Sequence, residues 1–261
     1  RKIKKENKNM KRILAVLFLV MGLSGYSQES NLSDASVERI KSLITLFENE
    51  DREGIAKRIV YPLKREYPLP PVTSEFEFVS RFEEFFVPEF SAKIANSVIE
   101  EYSHMGWRGI MFDLGRMWLT ESGDIYRIID QTELEKKIRE EMIQADKKRL
   151  HRSVNKFLEP YAIIKTGQDI WRIDRKDEKV MRLTIWNDGK LVSDVPDLIL
   201  EGTEDIQGTM GNRVLYFKDK KANDMITILM DNPESEVAHE VTIITIDSEG
   251  NEVSLKGQSD N

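Results

Sequence analysis

Residues 107–129 read WRGIMFDLGRMWLTESGDIYRII, a stretch over which the period of the apolar side chains changes to two. Alternation of this kind belongs to half-buried strands, whose successive side chains point to opposite faces. It predicts adjacent strands over 107–115 and 116–120, a turn at 121–124 and a third strand over 125–129. Gly109 and Gly115 interrupt the alternation and predict a bulge or sharp bend.

Upstream the period is that of a helix. Val37, Ile40, Leu43, Ile44 and Phe47 recur at three- and four-residue steps behind a cap at Ser33 or Asp34, and a second short helix is predicted from Arg52 to about Val60. Pro62, Pro68, Pro70 and Pro71 then forbid regular helix. Ser74 with Glu77 fits a capping box ahead of Phe76, Val79, Phe82 and Phe86, and Pro88 opens a further helix that turns Phe90, Ile94 and Val98 inward. Phe78, Phe82, Phe85 and Phe86 are more rings than one helix face needs. They read either as a bulky core under a sheet or as the wall of an apolar ligand pocket.

Downstream, Thr132 and Glu135 have capping-box spacing, and Leu134, Ile138, Met142, Ala145, Leu150, Val154 and Phe157 form an apolar stripe that predicts one helix to Leu158, stopped by Glu159 and Pro160. Its other face mixes Lys and Arg with Glu and Asp, as a solvated face does. From Tyr161 the pattern is β throughout: 170–174, 180–186, 197–200, 205–208, 214–218, 225–230, 241–247 and 253–255 are predicted strands. Short strands about ten residues apart suit an antiparallel barrel or sandwich. Trp171 and Trp186 read either as a sugar-stacking pair or as a cross-strand core pair.

Aromatic helices followed by GRMWLTESGDIYRI resemble the cone-shaped α+β fold of the nuclear-transport-factor-like and SnoaL-like superfamily over about residues 34–130. In that fold a curved sheet wraps a helix and leaves a pocket. The run WRIDRKDEKVMRLTIWNDGKLVSDVPDLILEGTEDIQGTMGN resembles the hairpin repeats of secreted calycin-type β domains over about residues 161–256. The expected fold class is therefore α+β: N-terminal helices packed on a curved antiparallel sheet, a linking amphipathic helix, and a C-terminal antiparallel β-barrel or sandwich. The expected division is an upstream extension and signal peptide at 1–27, a cone-like domain at 28–131, the linking helix at 132–160 and the β domain at 161–261.

The whole chain of 261 residues carries a net charge of −7. Lys11 and Arg12, the apolar run ILAVLFLVM at 13–21, and Gly25 and Ser27 ahead of Gln28 have the layout of a secretory signal peptide, with residues 1–9 as an upstream extension. This start resembles that of secreted proteins of Bacteroidetes-type bacteria, and the expected location is periplasmic or secreted. Removing residues 1–27 takes away seven bases and one acid, so the net charge falls from −7 to −13. Such a surface repels phosphate backbones, so no nucleic-acid partner is expected, and no stable membrane span is expected after cleavage.

Catalytic signatures are sparse. The absence of cysteine removes disulfides, thiolate metal sites and a thiol nucleophile. His104, His151 and His239 show no metal-ligand spacing, and no metal or cofactor is expected. The motifs SVNK at 153–156, KTG at 165–167 and SDN at 259–261 mimic those of serine β-lactamases, but only eight residues lie between the first two and the third stands last, out of order. The expected function is that of an exported non-catalytic binding or interaction protein, holding a small apolar ligand or a protein partner, with Phe82, Phe86, Tyr102, Trp107 and Trp118 as ligand-binding residues. The alternative is a SnoaL-like pocket enzyme with a carboxylate acid/base. Asp113 and Tyr102 are the nearest candidates by residue type, without a matching motif.

Overall fold

The computed structural model describes residues 32–207, 212–230 and 240–259. The export signal read at residues 1–27 lies outside the described residues, as does His239.

Helix α1 (Asp34–Glu48) is capped by the Ser33 hydroxyl, which accepts from the Ser36 amide, and it buries Ile40, Leu43, Ile44 and Phe47. Helix α2 (Arg52–Ala56) follows. The aromatic segment is three short helices, α3 (Glu75–Ser80), α4 (Phe82–Phe85) and α5 (Pro88–Ala95). Ser74 caps α3, while the Glu77 carboxylate reaches one residue further back than a capping box requires, to the Thr73 amide at 2.8 Å. The inward face also differs from the sequence reading. Phe78 is fully buried, whereas Phe76 is 86% exposed and Val98, beyond the end of α5, is 56% exposed.

Four short strands, β1 (Tyr102–His104), β2 (Ile110–Phe112), β3 (Met117–Leu119) and β4 (Ile125–Ile128), pair in sequence order as an antiparallel meander. The long first strand expected at 107–115 is shortened at both ends by 3-10 turns, Gly106–Arg108 and Asp113–Gly115. Gly109 and Gly115 make the expected bends with φ of 81° and 92°, and a Cβ on Gly109 would strike the Leu119 carbonyl. Inward-facing Tyr102, Ile110, Phe112, Met117, Leu119, Ile125 and Ile128 pack on the helices to form one continuous aromatic core.

Helix α6 (Glu133–Arg149) is capped by Thr132 and ends nine residues before Leu158. Leu150, Val154 and Phe157, expected on its stripe, instead sit in the following loop and anchor it against Trp186. The Glu159-Pro160 pair, read as a stop, opens a strand. Eight strands follow: β5 (Glu159–Thr166), β6 (Asp169–Arg175), β7 (Met181–Trp186), β8 (Leu198–Gln207), β9 (Asn212–Lys218), β10 (Met225–Met230), β11 (Glu240–Ile246) and β12 (Glu252–Ser259). They close as an antiparallel barrel in which β12 meets β5.

Strand β8 joins the two strands expected at 197–200 and 205–208. Gly202 is no break: a Cβ there would overlap the Tyr216 carbonyl and the Phe217 ring. The barrel interior is filled by aliphatic side chains with Trp171 and Phe217, as expected of eight strands. Trp171 is paired with Ile185 and Ile170 with Trp186, so the two indoles lie on opposite faces and form neither of the expected pairs.

Candidate functional site

The five residues predicted to bind a ligand do not share one cavity wall. Phe82, Phe86 and Tyr102 are at most 7% exposed. Phe82 and Phe86 have ring centroids 5.1 Å apart, Phe86 lies 5.8 Å from Phe90, and Tyr102 stacks on Phe112 at 4.6 Å. The rings thus fill the space that an open cone would leave. A shallow groove of about 380 Å³ opens instead between α1 and residues 97–100, and none of the five lines it. Trp107 is 60% exposed on the first 3-10 turn, beneath the Arg108 guanidinium.

The two acid/base candidates are also held apart. The Tyr102 hydroxyl is bonded to Ser97 Oγ at 3.0 Å, and burial pushes its phenol up to about 12. Burial acts to raise the Asp113 carboxyl, but bonds from Lys93 and Arg116 outweigh it and hold the group below the usual aspartate range. His104 pairs with Glu121 at 2.7 Å and His151 with the Ser153 hydroxyl at 2.8 Å, both at the surface. Among the described residues no group of three or more His, Asp or Glu is arranged to hold a metal ion, and no helix is long and apolar enough to cross a membrane.

The outer face of the four-stranded sheet is organised differently. Met111 of β2 stands opposite Trp118 of β3, both half-buried, and the Trp118 indole N–H donates to the Gly115 carbonyl at 2.9 Å. Between these strands Asp113, Leu114 and Gly115 hold φ of 49°, 55° and 92°, three successive residues in the left-handed region. Glycine accepts that conformation freely and aspartate with tolerance. For leucine the clash of Cβ with the backbone costs roughly 1–2 kcal/mol.

An ion network keeps the turn in place. The largely buried Asp113 carboxylate accepts from Lys93 Nζ and Arg116 Nη1, and Arg116 Nε donates to Asp130 at 2.7 Å. The Arg116 guanidinium lies 4.1 Å over the Phe90 ring, tying the turn to the aromatic core. The outcome is a leucine with 96% of its surface in solvent. Sequence reasoning missed Leu114 because it fits the strand alternation. Asp-Leu-Gly carries no signal that the turn would fall on the leucine.

A second polar cluster sits at the end of the barrel where β6 hands over to β7. Glu204 accepts from Tyr161 at 2.6 Å, Arg175 at 2.8 Å and Arg213 at 2.7 Å. Burial acts to raise its carboxyl, and the three donors together hold it below the ordinary glutamate value. Burial and Glu204 push the Tyr161 phenol upward. Glu204 lies within β8, where it serves as a structural acceptor.

Comparison with known proteins finds no family model, no curated protein and no solved structure that matches this chain.

Proposed function

We propose that the chain is an exported, non-catalytic interaction protein that engages a protein partner through Leu114 and the adjoining Met111–Trp118 pair. The observation that carries this reading is Leu114 itself, displayed to water on a turn whose conformation disfavours leucine. Strained backbone persists only where surrounding structure enforces it, and a large exposed apolar side chain gains nothing in the isolated protein. Both costs make sense if the leucine enters a notch on a partner, as an interface anchor does. The filled aromatic interior favours this over an enclosed apolar ligand, and the separate engagement of Asp113 and Tyr102 favours it over acid/base catalysis.

The test is a photoreactive leucine analogue placed at position 114 and, as a control, at exposed position 191, in extracts of the source organism's envelope and medium. A saturable protein adduct specific to position 114, competed by unlabelled chain but not by a Leu114→Asn variant, is expected. Equal labelling at both positions, or equal competition by the variant, would overturn the reading. Export is a separate component. It rests on residues 10–27, and N-terminal sequencing of the exported protein is expected to begin at Gln28.

A further inference from the structure

Strand β12 pairs with β11 from Glu240↔Gln258 to Ile246↔Glu252. On its other side, among the described residues, it pairs with β5 at Gln258↔Lys165 and Ser259↔Ile164. Strand β5 ends at Thr166, beside Gly257, so the stretch Glu252–Lys256 runs past the barrel rim with no described strand on that side. Leu255 is paired with fully buried Ile243 and so belongs to the interior face, as does Val253, yet the two are 42% and 53% exposed. A strand edge with an uncovered apolar face invites another strand.

We propose that this edge pairs with the same edge of a second copy, forming a two-fold antiparallel dimer centred on Ser254. The sequence EVSLK at 252–256 is complementary to itself in that register. Glu252 faces Lys256 of the second copy and Lys256 faces its Glu252, on the solvent side. Val253 faces Leu255 and Leu255 faces Val253, on the interior side, and the two Ser254 residues meet on the axis. Opposite charges and apolar pairs directly across a ladder are the favourable combinations, and a two-fold axis makes each occur twice. Five residues of edge bury less than the 1,200–2,000 Å² of a standard stable interface, so the dimer is weak and reversible. The inference stands independently of the Leu114 surface.

Sedimentation equilibrium of the intact chain at low salt, over a wide concentration range, tests it. The wild type is expected to show a monomer–dimer equilibrium. Glu252→Lys and Lys256→Glu each place like charges opposite one another twice, and each is expected to weaken the dimer roughly tenfold. The double variant restores opposite charges and is expected to return to near the wild-type constant. A strictly monomeric wild type, a double variant no better than the single ones, or growth beyond dimers would overturn the proposal. The last outcome would signal a heterologous, open-ended contact in place of the two-fold one. Because the chain has no cysteine, Ser254→Cys gives a second readout. Residues directly opposite across a ladder have Cα atoms about 4.5–5.5 Å apart, within disulfide reach. The expected product on mild oxidation is a covalent dimer; no more dimer than from a Thr203→Cys control would count against the two-fold register.

Discussion

Leu114 sets stability against display. Replacing it with asparagine, which tolerates the left-handed region, relieves the turn without altering the Lys93–Asp113–Arg116 network. Leu114→Asn is therefore expected to raise unfolding stability by about 1 kcal/mol in urea titrations; a destabilised variant would show that the leucine is held by its own contacts. Glu204 gives the pH prediction. Its folded pKa is depressed, so the stabilisation is present above the unfolded value of about 4.3 and is lost as pH falls through the lower folded value. The acid limb of stability is expected to flatten in Glu204→Gln, measured by urea midpoints between roughly pH 5 and pH 2. At this scale the sequence told little. The left-handed turn at Asp113–Leu114 depends on Lys93, brought from α5, and on Arg116, just ahead of β3, and Glu204 meets Tyr161 only because β5 and β8 enter one barrel end.

Helix α6 shows why an apolar stripe can mislead. Leu134 is 47% exposed, while Glu135 is fully buried and Ile143 nearly so. The docked line is Glu135, Arg139, Ile143 and Asp146, spaced as one helical face but mostly charged. Arg65 grips Glu135 with two bonds of 2.6 and 2.5 Å. Arg139 donates to the Tyr67 carbonyl and pairs with Glu66, and Asp146 meets the buried Arg172 of β6 at 2.7 Å. Hydrophobic periodicity finds faces that bury hydrocarbon and is blind to faces that bury ion pairs. Removing one partner of such a pair leaves an uncompensated charge. Glu135→Ala is expected to cost about 3 kcal/mol, moderated by the bonds Arg65 keeps to the Ile128 and Asp130 carbonyls, and in calorimetry to split one unfolding transition into two. The same cost in 1 M salt distinguishes this buried pair from a screened surface one.

Across the molecule, the change from helical period to alternation at residue 107, and the β pattern after Tyr161, made the α+β class and the antiparallel β unit legible. Closure of the barrel was not legible. It depends on the stagger between strands, which brings Ser259 to Ile164 and which no local pattern encodes. Strand β5 was hidden by Pro160, which is tolerated where the β5–β6 register shifts between Pro160 and Ala162. The β5–β12 seam also has a consequence in time. Its two halves are the first and last strands of the barrel to leave the ribosome, about ninety residues apart. At synthesis rates of about 5–20 residues per second, the growing sheet keeps both edges open for several seconds, while the aromatic unit ahead of it is already free to fold. Whatever guards those edges during synthesis must act before β12 is made.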